Sequence, residues 1–453
     1  MKVSMRVGAV LLTLWCCPCG MGGTERLSAA SLLHVGWSHV DVTPGRPVAL
    51  IGQLHKRISE RVRDPLTATA LAVETRGGGS SEQAILVSCD VLYIRKSVVD
   101  KIREVLKTKL PDFDADKLVL NATHTHTGPG FADEDFGTLY DVSKDEGVMP
   151  ASEYAAFFVE RIAQVAAEAW ERRGPAGVNW ALGHAVVGMN RRARYFDGKA
   201  IMYGSTTRAD FAGLEGYEDH GVEMLFFWDA SGKLTGIVVN LACTAQETEG
   251  LNEISADFWY DVRQTLGARL GRDVHVLPQC AAAGDLSPHL LYRKKAEEAM
   301  AKRRGFSNRQ EIARRIVDSV MDVLPTARDG ATASPVFRHA VVRVNLPPAP
   351  STAAPFYTTD AIAPVELHLL RLGDVAIATN PFELYLDYGV RIKARSPAVL
   401  TMLVQLSCQH SGYLPTEKAI AGGGYSADKY VVGPEGGQVL VNETVRQIEA
   451  LWK

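Results

Sequence analysis

Apolar and polar positions alternate with a period of two from His34 to Pro44, HVGWSHVDVTP, and the alternation stops at the proline. Successive side chains on a strand point to opposite faces, so this segment predicts a half-buried strand ending in a turn. Strand patterns return at Leu66–Glu74 and Ala84–Ile94, on either side of a Gly- and Ser-rich loop at 77–81. The spacing then becomes helical from Val98 to Leu110, with Ser97 as the expected N-cap. Lys117–Thr123, KLVLNAT, predicts a buried strand that runs straight into HTHTGPG.

Residues 131–152 are acidic and polar, the pattern of a loop or lid. An amphipathic helix is predicted over Ser152–Arg173, closed by Gly174 and Pro175. Val222–Trp228 and Leu234–Ala242 flank a hairpin signal at Asp229–Gly232. Asp257–Leu270 predicts a helix, and His275–Ala281 a strand leading into GDLSPH. Residues 292–326 form a charged helical region with a break at Gly305 and Phe306. An Ala/Pro-rich stretch, 327–357, carries a strand at Val336–Val344. His368–Ala378 predicts a strand pair around Gly373, Phe382–Lys393 a helix with Glu383 in its first turn, and Val399–Leu406 a strand. A turn at Gly436 and Gly437 precedes the closing helix, Gln438–Leu451. Strands and helices mix throughout and no repeat is visible. The expected fold class is therefore α/β, with mixed sheets flanked by helices in one large domain over residues 30–453.

Composition narrows the function classes. With 46% hydrophobic and 22% charged residues and a net charge of −3, the chain reads as globular and carries no basic run suited to nucleic acid. Lys2 and Arg6 precede a short apolar run, Val7–Trp15, then small residues from Gly20 to Gly23. This predicts a secretory signal over 1–23 and a secreted or periplasmic protein, the run being too short to span a bilayer. A lipid anchor at Cys16 or Cys17 is the alternative, which Leu14 and Trp15 disfavour. No other stretch is apolar for long enough to form a transmembrane segment. Cys89, Cys243, Cys280 and Cys408 are widely spaced, with no CxxC pair, and do not suggest a disulfide framework.

The sharpest chemical feature is His124-Thr125-His126. In extended chain both imidazoles point to one side, where they can bind a metal or move a proton. A pair of structural histidines is the plainer alternative.

THTHTGPG is similar to the THTHSGPG segment of neutral ceramidases, and further matches follow in order. VGWSHVDVTP resembles that family's opening Gly-x-x-x-x-Asp-Ile-Thr, and ILVSCDVLYI its Val-Ser-x-Asp strand. GMNRRARY resembles its Asn-Arg-Ser segment, ISADFWYDVRQTL its Ser-x-Asp-Asn helix start, and AAAGDLSPH its Gly-Asp-x-Ser-Pro-Asn loop. NPFELYLDYGVRIK resembles its Gly-Glu-Phe-Thr-Thr helix, and GYLPTEKAIAGGGYSA its Tyr-x-x-Thr-x-Glu-Glu-Tyr stretch. The shared order, rather than any one piece, carries the resemblance. It covers the family's catalytic part, without a counterpart of its C-terminal immunoglobulin-like domain.

The resemblance implies a zinc-dependent hydrolase that cleaves an amide (N-acyl) bond of a small-molecule or lipid-like substrate, as in sphingolipid metabolism. The family's zinc is held by the first His of the pair, a second His, a Glu and a Tyr. Carried over, these are His124, Glu383 and Tyr413, with Cys243 where ungapped counting puts the second histidine. NLACTAQETEG holds no histidine. A shift of one places Thr244 there, a poor ligand, and Gln246, Glu247 or Glu249 could supply an oxygen instead. A thiolate is a good zinc ligand, so the expected metal set is His124, Cys243, Glu383 and Tyr413. His126 is the expected proton-transfer group, Ser287 the active-site serine, and Arg191 the substrate-orienting arginine, with Asn190 and Arg192 beside it as substrate-binding residues. The same fold acting on a carbohydrate or other polar molecule, or serving as a non-catalytic binding protein, stays open. The sequence sets no oligomeric state.

Overall fold

The alternating segment from Leu32 to Asp41 forms β1, in the middle of an eight-stranded sheet. The computed structural model describes residues 31–77, 81–134, 136–350, 353 and 364–453, so the signal read at 1–23 lies outside the described residues. The other strands of this sheet are β2 (Thr67–Arg76), β3 (Glu82–Cys89), β4 (Leu118–Ala122), β5 (Gly174–His184), β6 (Gly221–Asp229), β7 (Leu234–Leu241) and β8 (His275–Cys280). Their order is β8-β7-β6-β5-β1-β2-β3-β4. The two outer pairs, β7/β8 and β3/β4, are parallel, and the strands between them are antiparallel.

A second sheet holds β9 (Phe337–Val344), β10 (Val365–Leu372), β11 (Val375–Thr379) and β12 (Leu400–Val404), in that order, with β11/β12 parallel. One face of each sheet packs on the other. Leu71, Leu86, Leu225 and Phe227 of the large sheet share one cluster with Leu370, Ile377 and Met402 of the small one. Burying both faces in this way is the main source of apolar stabilisation, at about 25 cal/mol per Å² of surface removed from water.

Helices cover the outer faces. α1 (Lys96–Lys109) and α2 (Ala151–Glu171) lie over one end of the large sheet, with Ile102, Leu106, Phe158 and Ile162 turned inward. α3 (Phe258–Leu270) and α5 (Asn308–Asp329) lie over the other end, after α4 (Lys294–Arg304). α6 (Leu386–Arg395) and α8 (Pro434–Trp452) cover the small sheet, with α7 (Glu417–Gly422) between them in sequence. Helix, sheet, sheet and helix thus stack as four layers, the mixed α/β architecture expected. No helix among the described residues is long and apolar enough to cross a membrane.

Four local expectations are corrected. Arg95, not Ser97, is the N-cap of α1. β5 was not foreseen, because its opening Gly174-Pro175 reads as the end of a helix. Gly436 and Gly437 lie in the first turn of α8, where a Cβ on Gly437 would sit 2.5 Å from the Tyr388 ring. The glycines there permit close packing rather than a turn. Glu383 does not begin a helix: Glu383–Leu384 is a two-residue strand paired in parallel with Tyr413–Leu414, and α6 begins only at Leu386.

Candidate active site

The C-terminal ends of the parallel pairs β3/β4, β7/β8 and β11/β12 of the two main sheets meet. The chain leaving β4 is tied to that leaving β7 by Ala245 N donating to the Thr123 carbonyl (3.2 Å), and β8 is tied to β12 by Gln405 N donating to the Cys280 carbonyl (3.0 Å). Carboxyl ends of parallel strands are where α/β sheets place ligands, since the connecting loops diverge there.

His124 takes a left-handed backbone conformation, φ 65°, immediately after β4. For a residue with a Cβ this costs on the order of 1–2 kcal/mol and marks a constrained position. Its Nδ1 donates to the Leu92 carbonyl at 2.8 Å, which fixes the tautomer and leaves the Nε2 lone pair free. Nε2 lies 3.4 Å from a Glu383 carboxylate oxygen. Burial works against the Glu383 charge, but His124, Arg191 and His410 outweigh it and pull its pKa down to about 2. Tyr413 stands beside Glu383 in strand register.

Arg191, buried at 2% exposure, ties the wall together. One terminal nitrogen donates to the Gly284 carbonyl (2.9 Å) and the Tyr413 hydroxyl (3.3 Å), the other to the Tyr203 hydroxyl (3.3 Å) and Gln246 Oε1 (3.4 Å). Its Nε is buried without a partner. The Ser287 hydroxyl accepts from His289 N at 3.2 Å and lies against the Tyr203 hydroxyl.

His126 packs edge-on against His124, ring centroids 4.9 Å apart. Both its ring nitrogens are buried without a hydrogen-bond partner, and burial, then the nearby His124, push its pKa down to about 3. An unsatisfied buried polar group costs about 1–3 kcal/mol, so a site that keeps one is built to receive something. The backbone around it is fixed by Arg57, which donates to the carbonyls of His126 and Leu251, both at 2.6 Å.

No protein-family model matches the chain, and no curated protein does. Solved structures do. A ceramidase complexed with C2 superposes with a TM-score of 0.71 over 93% of this chain and 75% of that one, at 17% identity. The chain has the neutral ceramidase fold. The neutral ceramidase from Pseudomonas aeruginosa gives a TM-score of 0.70 with the same coverage of both chains, at 19% identity.

Within this ceramidase fold, His124, His126, Arg191, Glu383 and Tyr413 come together, and Ser287 joins them through Tyr203. Cys243 does not. Its thiol lies 3.5 Å from the Val187 carbonyl and 3.6 Å from the Thr244 carbonyl, in an apolar cluster with Leu241 and Trp259. Burial pushes its pKa well above the ordinary thiol value. Cys243 Sγ, His124 Nε2 and a Glu383 oxygen are not a set lying within 4.8 Å of one another. The neighbouring Thr244 is the residue turned to the site: its hydroxyl bonds Gln246 Oε1.

Asn190 and Arg192 are also re-read. Arg192 pairs with Glu215 (2.6 Å) and donates to the carbonyls of Ala419, Gly423 and Tyr425. Asn190 Nδ2 donates to Asp285 (3.0 Å), whose other oxygen accepts from Leu386 N at the start of α6 (2.8 Å). With their donors committed, both residues hold loops rather than face the pocket. Tyr203, His289 and His410 lie at the site without having been placed by the sequence reading, which named Glu249 only as a substitute oxygen donor. They lie far apart in sequence and carry no spacing signal.

A separate buried cluster lies behind β4. Among the described residues Glu366, His368 and Cys408 have ligand atoms within 4.8 Å of one another. Arg103 already occupies this space, 2.6 Å from Glu366 and 4.0 Å from the Cys408 sulfur. Its guanidinium supplies the positive charge a metal would bring, so the cluster fits an ion-pair network better than a metal site.

Proposed function

We propose that this chain is a ceramidase-like hydrolase that cleaves an amide (N-acyl) bond with the help of one zinc ion. The observation that carries this reading is the buried pair His124–Glu383, with Nδ1 of His124 spent on a carbonyl and Nε2 left to coordinate, beside the unpartnered His126. A metal-binding imidazole is oriented in this way by a bond at its other nitrogen. Histidine, carboxylate and phenol suit zinc, and catalytic zinc sites use three protein donors with one position open. His124, Glu383 and Tyr413 would hold the ion, so the loss of the family's second histidine and the withdrawal of Cys243 leave a workable set. A zinc ion there would polarise a carbonyl and lower the pKa of a bound water.

The protein's own groups divide the remaining work. Arg191, aimed by four acceptors, orients the substrate carbonyl, and its unpartnered Nε is available to it. The Arg191 charge and its unpartnered Nε, beside Tyr413, favour the oxygen that gains charge. His126, neutral at rest, would take a proton from the attacking water and pass it to the leaving nitrogen. Ser287 supports the wall with Tyr203. The N-terminal signal supports a secreted or periplasmic location, and the substrate class is a small N-acyl or lipid-like molecule. The test is release of fatty acid from a fluorescent N-acylsphingosine by purified protein, with and without 1,10-phenanthroline. Chelator-sensitive turnover that is lost in His124→Ala supports the reading. No turnover of any N-acyl substrate, with zinc present, contradicts it.

A further inference from the structure

His126 is the first of four titratable side chains that run in a line out of the site. Its Nδ1 lies 3.4 Å from one oxygen of Glu249, and the other oxygen of Glu249 lies 3.0 Å from Nε2 of His289, both ion-pair contacts without hydrogen-bond alignment in this conformation. Nδ1 of His289 lies 3.6 Å from Glu247. Glu247 and His289 both line a cavity of about 150 Å³ on the far side, with Lys294, Asn308 and Arg315. The chain is anchored rather than loose. Gln246 Nε2 donates to Glu249 at 2.8 Å, and Asp257 accepts from both the amide (2.6 Å) and the hydroxyl (2.7 Å) of Thr248, between the two glutamates. Gly52, φ +104°, packs against the same ring, where a Cβ would lie 2.7 Å from Nδ1 and 2.8 Å from Cγ. The ring is therefore confined by a glycine backbone as well as by the carboxylate.

We propose that Glu249 and His289 are positioning residues for His126, with Glu249 holding the Nδ1–H tautomer, His289 fixing Glu249, and Glu247 closing the chain at the outer cavity. The inference rests on the hydrolase reading for its catalytic consequence. A carboxylate at one imidazole nitrogen frees the other, on the far side of the ring, to meet the reacting group, the logic of the acid–histidine pair in many hydrolases. The charges agree with this arrangement. Burial works against ionising Glu249, but His289, His126 and Gln246 reverse that effect and pull its pKa down to about 2. Burial likewise opposes the charge on His289, and the two glutamates outweigh it and raise its pKa.

Two measurements on the full-length zinc-loaded protein test the proposal. Long-range ¹H–¹⁵N spectra of histidine-labelled protein should show His126 as the Nδ1–H tautomer. That form should give way to a mixture in Glu249→Met and in His289→Ala, and be retained in the conservative Glu249→Gln, whose amide oxygen still accepts. An unchanged tautomer in all three variants overturns the proposal, whatever the enzyme's substrate proves to be. With N-acyl substrate, His289→Ala should lower kcat about 10-fold with KM unchanged, and added imidazole, entering by the outer cavity, should restore most of it. A raised KM with normal kcat, or no rescue, overturns the catalytic part. A wild type inert on all amides but with the stated tautomer changes would defeat the hydrolase reading while leaving the positioning role intact.

Discussion

Replacing Arg103 by Met isolates the buried charge cluster behind β4. Arg103 and Glu366 side chains are 7% and 6% exposed, and the guanidinium makes two contacts to the carboxylate, at 2.6 and 3.2 Å. A further bond, 3.1 Å to the Leu118 carbonyl, anchors β4 directly upstream of His124. Methionine matches the stem and removes the charge. Glu366 then stays buried beside His368, whose pKa burial would lower but Cys408 and Glu366 push up to about 9. Glu366 keeps His368 at 3.0 Å and the half-exposed Arg343 at 3.5 Å but loses its bidentate buried partner, a loss on the scale of about 3–5 kcal/mol and far above the roughly 0–1 kcal/mol of a surface pair. At about 2.1 cal/mol/K per residue over roughly 400 residues, the unfolding entropy is about 0.85 kcal/mol/K, so Tm should fall by about 4–6 °C. Scanning calorimetry at pH 7 reads this directly, with surface Arg208→Met as the control, expected within about 1 °C. An Arg103→Met Tm within 1 °C of wild type would refute the reasoning, since it would mean that the cluster's charges are compensated without the guanidinium.

Other consequences are equally concrete. Gly52→Ala should fold but lower kcat/KM more than about 10-fold, because its Cβ displaces the His126 ring and its φ of +104° strains any L side chain; a steady-state assay beside a Tm measurement separates the two effects. Arg191→Lys keeps the charge but loses the fork that reaches Tyr413, Gly284, Tyr203 and Gln246, and should cost about 100-fold in kcat/KM, on the scale of losing one oxyanion donor. Glu311 accepts from Arg304, Arg314 and Arg315, and the Arg314 bond above all pulls its pKa down to about 2. A depressed carboxylate contributes stability above its unfolded value, near pH 4.5, and loses it as pH falls through about 2. Glu311→Gln should therefore lower stability at pH 7 by about 1–3 kcal/mol, about 1–4 °C in Tm, with the gap to wild type closing as the pH falls toward 2; a gap that stays constant with pH would contradict this.

Regular elements were legible where burial of one face imposes a period, as in α2 and much of β1, while β6, buried along its length, was legible from the hairpin signal that follows it. β5 was lost to its Gly-Pro opening, and Glu383 was assigned to a helix because a strand of two residues carries no period at all. The His124–His126 pair stood out because two histidines lie within three residues, and the structure packs their rings together. Glu249 and His289, 40 residues apart, meet only when the chains leaving β7 and β8 converge. Cys243 shows the limit of counting. Alternate residues of an extended segment face opposite ways, so an error of one residue turns the thiol into the apolar core and puts Thr244 at the site.

The central claim is a metal centre built on His124, Glu383 and Tyr413 without Cys243, and zinc content of the purified protein tests it most directly. The account predicts one zinc per chain in wild type and in Cys243→Ala, and none in His124→Ala or Glu383→Ala. A wild type that takes up no zinc when it is supplied, or a Cys243→Ala variant that loses it, would contradict the account.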